Sequence, residues 1–170
     1  MAARSVLLAG TDERDLTKLA EYQAIGGYSQ VPKALKLTPE TLIETLLAAN
    51  LRGRGGAGFP MGRKASLIDR GSAKPKYLVV NADESEPGAF KDREVMGKVP
   101  HRLIEGCLIA AHAIECNQVF IYIRGEYLHE YEILDRAVSE ARAAGLFGDV
   151  DITVYRGAGA YICGEETAPR

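Results

Sequence analysis

Three short apolar runs, separated by two helix-length amphipathic stretches, constrain this chain more than any other feature. Tyr77-Leu-Val-Val-Asn81 is the first run, Val119-Phe-Ile-Tyr-Ile123 the second, and Val150 to Tyr155 the third. Pro100 opens a helix running to about Ile114, with Leu103, Ile104, Cys107, Leu108 and Ala111 at helical spacing. Tyr127 to Ala144 forms another, with Leu128, Tyr131, Leu134 and Val138 turned inward and Gly145 as its stop. Strand, helix, strand, helix, strand predicts an α/β fold whose sheet is parallel and whose crossovers are right-handed. The first run reads as a buried strand, because parallel sheets are usually covered on both faces.

Upstream, Thr38-Pro39 offers an N-cap followed by proline at the first helical position. Leu42, Ile43, Leu46 and Leu47 then carry a helical stripe to about Asn50. Residues 1–37 are polar and broken by Gly26-Gly27 and Pro32, and read as an arm or small helical lead-in. The expected division is 1–37 for that arm and 38–170 for the domain proper. With 170 residues there is material for one core. A formal net charge of −2 gives no electrostatic case for nucleic acid. No apolar run is long enough to span a bilayer, and Val6 to Ala9 is too short for a secretory signal, so the default location is the cytoplasm.

The cysteines are Cys107, Cys116 and Cys163, an odd number with no CxxC pair, which argues against a disulfide scaffold. Cys107, His112 and Cys116 invite a metal reading. Steps of five and four residues on a helix do not stack three ligands on one face, so buried thiols are the better account and no metal is expected.

In open parallel sheets ligands collect at the carboxyl ends of the strands. Here those ends carry Asn81-Ala-Asp-Glu-Ser-Glu-Pro-Gly88, Arg124-Gly-Glu-Tyr127 and Arg156-Gly-Ala-Gly-Ala-Tyr-Ile-Cys-Gly-Glu-Glu-Thr167, all unlike plain connectors. Asp83, Glu84 and Glu86 lie within four residues. A solvated acidic turn, a metal site and a set of acceptors for sugar-type hydroxyls are all open readings of that loop. Glu165-Glu166 after Gly164 falls where a helix should begin, so capping is the plain alternative to ligand binding.

Before the sheet lies a glycine-rich loop. Gly53, Gly55 and Gly58 satisfy G-x-G-x-x-G, but a helix precedes them and Phe59-Pro60 follows, so the dinucleotide fingerprint lacks its context. Four glycines in six residues still let the backbone approach a flat or anionic ligand. Arg54 and Lys64 add cations suited to phosphate, and Phe59 a ring for stacking. A flexible surface loop is the alternative.

These residues together resemble the NADH-binding flavoprotein subunit of respiratory complex I. Related chains are the diaphorase subunits of hydrogenases and NAD-linked formate dehydrogenase subunits. The resemblance rests on residues 51–60 (Leu-Arg-Gly-Arg-Gly-Gly-Ala-Gly-Phe-Pro), 81–93, 121–127 and 157–168, in order across most of residues 20–168. It implies a Rossmann-like FMN-binding domain that passes hydride from NADH to FMN and feeds iron–sulfur clusters. It implies FMN contacts from Gly53, Arg54, Gly55, Lys64, Asn81, Asp83, Glu84, Ser85, Tyr161, Gly164, Glu165 and Glu166. It implies NADH contacts from Gly56, Phe59, Glu86 and again Glu166. Implied partners are other subunits of the complex, above all a small thioredoxin-like iron–sulfur subunit, which would hold the chain peripherally at the inner membrane. The alternatives are a hydrogenase or formate dehydrogenase diaphorase, and a non-catalytic remnant of the fold.

The sequence departs from the family pattern at Ala65, where tryptophan is usual, and at Leu67, where a second aromatic is usual. After Thr167-Ala168 the family continues a helix, whereas here Pro169-Arg170 follow. The iron–sulfur domain of the family is absent from these residues. The expectation is therefore that they hold FMN weakly or not at all alone, and are inactive alone.

Overall fold

A computed structural model of the chain describes residues 6–159. The elements are α1 (Leu19–Ala24), α2 (Val31–Ala34), α3 (Pro39–Ala48), α4 (Met61–Ser66), β1 (Tyr77–Ala82), α5 (Lys91–Lys98), α6 (Pro100–Ile114), β2 (Gln118–Ile123), α7 (Leu128–Ala143) and β3 (Asp151–Arg156). The strands form one sheet in the order β1-β2-β3, parallel throughout. Their register is level: Tyr77, Gln118 and Asp151 are partners at one end, and Ala82, Ile123 and Arg156 at the other.

Alternation decides what each face of the sheet meets. Ala82, Val119, Ile121, Ile123 and Ile152 are buried and join one core with Ile104, Leu108 and Ala111 of α6 and Leu134, Ala137 and Val138 of α7. The opposite face carries Tyr77, Val79 and Tyr155, each more than half exposed. The first apolar run is therefore not a buried strand. Among the described residues β1 is an edge strand, and the helices against the sheet cover one of its faces.

The expected helices form, with informative differences. Thr38 caps α3, its side chain accepting from the Thr41 amide at 3.2 Å, and Pro39 follows it. Leu42 and Ile43 are buried there, while Leu47 is exposed. In α7 Leu128 is exposed as well: the helix begins a turn before its buried stripe of Ile133, Leu134, Ala137, Val138 and Ala141. Gly145 follows the helix with φ 71°, the left-handed conformation expected of a residue just past a helix end. Two helices are new. α4 is short, and α5 is charged at Lys91–Glu94 and Lys98 and buries only Met96.

The lead-in is built into the core. Tyr22 of α1 donates to Glu105 Oε2 at 2.5 Å, and the Gln30 amide donates to Oε1 at 3.2 Å, so a carboxylate in mid-α6 is satisfied from both sides. Tyr28 O–H meets His101 Nδ1 at 2.9 Å, and His101 Nε2 lies 3.4 Å from Glu140 Oε2, which also accepts from the Leu19 amide. Burial pushes the His101 pKa down, against the pull of Glu140, so the ring is neutral at pH 7. The bonds to Glu105 and to His101 Nδ1 fix the lead-in to α6, and the Leu19 amide ties it to α7.

Candidate functional site

The level register brings three loops out at one edge of the sheet. The loop after β1 is the most tightly held. Asn81 Oδ1 accepts from the Asp83 amide at 2.9 Å. The Glu84 side chain is buried and turns away from the sheet edge, accepting from the Asp92 amide at 3.0 Å and the Arg93 amide at 3.2 Å. Those amides open α5, whose own N-cap residue Phe90 contributes no side-chain bond. Glu84 thus caps a helix from outside it, where the helix dipole favours a carboxylate, with Lys91 Nζ 3.6 Å away. Its carboxylate is held by the first turn of α5. Among the described residues no group of three or more histidines, cysteines or carboxylates is placed to hold a metal ion.

What Glu84 leaves behind is informative. Asp83 Oδ1 and Ser85 Oγ, on either side of it, are buried and have no hydrogen-bond partner among the described residues. Orphaned buried oxygens are rare, because each forgoes its hydration without return. A hydroxyl, which both donates and accepts, is the kind of group that suits such oxygens.

The second loop supports the first. Arg124 Nη1 donates to the Glu84 carbonyl at 2.8 Å, and the Tyr127 hydroxyl reaches the same oxygen at 3.2 Å. Arg124 Nε and Nη2 each meet a different oxygen of Glu126 at 3.0 Å. This fork holds the Glu126 carboxyl down to about 2 and the guanidinium well above its usual range. The third loop closes against the second: Arg156 Nε donates to Gly125 O and the Gly157 amide to Ile123 O, both at 2.8 Å. A Cβ on Gly125 would lie 2.5 Å from Gly157 O, so the two backbones meet where only glycine fits. Tyr161, Gly164, Glu165 and Glu166 lie outside the described residues.

The glycine-rich loop is made differently. Arg52 and Pro60 bridge in antiparallel fashion, the Gly53 amide donates to Phe59 O at 2.9 Å and the Met61 amide to Leu51 O at 2.8 Å. Those bonds pinch the neck of the loop. Beyond them Gly56 and Gly58 adopt φ 116° and 62°, and a Cβ built on Gly55, Gly56 or Gly58 would meet nothing within 4 Å. Arg54 and Phe59 are exposed on the loop, and Lys64 on α4 just after it. Helix α3, not a strand, precedes the loop, so the dinucleotide fingerprint stays unmet, although α4 does follow it at Met61.

The structure therefore gathers Asn81, Asp83 and Ser85 at the carboxyl end of β1, and carries Gly53, Arg54, Gly55, Gly56, Phe59 and Lys64 on one pinched loop and the helix behind it. The supporting roles of Arg124 and Tyr127 were not assigned from sequence, although their segment stood out there. Their partner is 40 and 43 residues away, a distance no local pattern encodes.

Residues 46–168 match the family described as the Nuo51 FMN-binding domain. The chain is 47% identical to an NADH-quinone oxidoreductase F-type subunit of Rhizobium meliloti, over 96% of this chain and 41% of that protein. It is 50% identical to the same type of subunit from Streptomyces coelicolor, over 96% of this chain and 38% of that protein. It thus spans about two fifths of the length of these curated relatives. The crystal structure of an NAD+-reducing [NiFe]-hydrogenase in the air-oxidized state superposes with a TM-score of 0.71 at 33% identity, covering 96% of this chain and 26% of that one. With its α/β fold, its strand-edge loops and a family match over most of its length, the chain belongs to the Nuo51 FMN-binding domain family.

Proposed function

We propose that this chain forms the FMN-facing part of a site where hydride passes from NADH to FMN, within an NADH:quinone oxidoreductase. The observation that carries this reading is the pair of buried, unpartnered oxygens, Asp83 Oδ1 and Ser85 Oγ, at the carboxyl end of β1. They fit ribityl hydroxyls in chemistry. FMN held there supplies the hydride acceptor and the means to pass electrons on singly.

The residues of the chain do the binding and orienting. Asp83 and Ser85 take hydroxyls, with Asn81 holding the Asp83 backbone. Arg54 and Lys64 meet the phosphate, and the open backbone at Gly55, just beyond the neck held by Gly53, allows close approach. Phe59 stacks on the base of NADH beside Gly56, and Glu86 meets its nicotinamide amide. Tyr161, Gly164, Glu165 and Glu166 complete the pocket on the strength of the family pattern. No general base is needed, because hydride transfer between stacked rings depends on placement. Electrons leave through partner subunits, including a small iron–sulfur subunit, in a complex to which the chain attaches peripherally; no helix among the described residues is long and apolar enough to cross a membrane. A hydrogenase-type diaphorase is the second reading, favoured by the superposition on the NAD+-reducing hydrogenase.

FMN fluorescence titrated with the purified chain tests the reading. The unpartnered oxygens favour weak binding over none, so weak but saturable quenching is expected, reduced further in Asp83→Ala and Ser85→Ala; emission unchanged up to millimolar chain overturns it. The three cysteines include no CxxC pair, so the same preparation should hold no stoichiometric iron and should reduce ferricyanide from NADH poorly. Iron analysis and that assay check the expectation.

A further inference from the structure

We propose that Arg124 and Tyr127 are positioning residues for the flavin: without touching it, they clamp the backbone between Asp83 and Ser85 so that the two oxygens face the ribityl hydroxyls. The inference rests on the flavin reading above and adds residues to it.

Glu84 is fixed at both ends. Its carboxylate is held by the first turn of α5, and its carbonyl takes two donors, Arg124 Nη1 and the Tyr127 hydroxyl, which use both of the lone pairs that oxygen has. The donors are themselves fixed. Glu126 grips two nitrogens of the Arg124 guanidinium, and the guanidinium lies over the Tyr127 ring, 5.3 Å from its centroid. With Nε and Nη2 on Glu126, Nη1 is directed at Glu84.

Asp83 and Ser85 are the immediate neighbours of that clamped residue, and theirs are the oxygens without partners. A helix cap alone would need only the Glu84 carboxylate. A second anchor on the carbonyl, brought from the loop between β2 and α7, sets how the flanking peptides are turned. Small displacements of binding groups cost large factors in affinity, which is why such supporting contacts matter.

The test uses the 170-residue chain with FMN as probe, read by fluorescence quenching, alongside amide hydrogen exchange at residues 83–86. Tyr127→Phe keeps the ring and removes the hydroxyl, and should weaken FMN about fivefold; Arg124→Gln should weaken it tenfold or more, on the order of one charge-assisted bond. Exchange at 83–86 should quicken in both while the far-ultraviolet dichroism is kept. Arg124→Lys restores charge but not the fork, and should recover only part of the affinity. Full recovery with lysine would mean that charge alone matters and would overturn the positioning role. So would Tyr127→Phe with the affinity and exchange of the parent chain. A parent chain that binds no FMN overturns the flavin reading itself, and this inference with it, a result distinct from unchanged variants.

Discussion

The loop after β1 and the glycine-rich loop before α4 differ in what holds them. Residues 83–85 are tied to α5 through the Glu84 carboxylate and to the β2–α7 loop through its carbonyl, contacts that reach 8, 9, 40 and 43 residues along the chain. The glycine-rich loop is pinched only at its neck, and its crown stands in open space. One loop is preorganised by the fold. The other is shaped when something arrives to shape it. A ligand contacted by both would find hydroxyl acceptors in place and would lose ordering entropy at its phosphate end.

The largest effect should come from the rigid loop. Glu84→Ala strips two amides of α5 of a buried carboxylate and should cost about 2–4 kcal/mol of stability in urea denaturation. A cost near zero would erase the contrast between the loops. On the open loop Lys64→Ala should leave stability unchanged and weaken FMN by about 1.5–3 kcal/mol, as for a charge-assisted hydrogen bond. If the melting midpoint drops with the affinity, the open loop is part of the scaffold after all.

Two gentler measurements sharpen the same contrast. Amide exchange should find the Asp92 and Arg93 protons protected and those of Gly55, Gly56 and Gly58 exchanging close to the rate of an unfolded chain. Acidification separates the loops too. The Arg124 fork lowers the Glu126 pKa from its usual range to about 2, so its contribution is complete above the ordinary carboxylate range and is lost only as the pH falls through that value. Carboxyl chemical shifts should place the Glu126 midpoint near 2 in the parent chain and back in the normal range in Arg124→Gln; an ordinary midpoint in both would mean the fork is loose in solution.

The frame of the molecule was legible because its signals are local. Pro100 and the stripe behind it predict α6 residue for residue, and Thr38-Pro39 predicts the start of α3. The parallel sheet follows from the alternation of runs and helices. What escaped is what depends on distant partners. Helix α5 offers only Met96 to the core and takes its cap from Glu84, so neither stripe nor cap marks it in sequence. Tyr22 and Tyr28 find Glu105 and His101 at separations of 83 and 73 residues, and without those partners the lead-in reads as an arm. At the site both loops stood out by composition. The choice of which carboxylate serves the scaffold did not, because Asp83, Glu84 and Glu86 look equivalent until the backbone turns them in different directions.

The level register also says where this fold tolerates a change of length. Tyr77, Gln118 and Asp151 start together and Ala82, Ile123 and Arg156 finish together, so every exit loop leaves at the same height. One residue added inside a strand would raise its loop by about 3.3 Å and exchange its buried and open side chains. The same residue added to the connections at Ser72–Lys76, Asn117 or Asp149 would leave the rim where it is. Insertions, tags and grafted epitopes therefore belong at the floor of this sheet, where they lengthen the path into a strand without shifting the place where it delivers its loop.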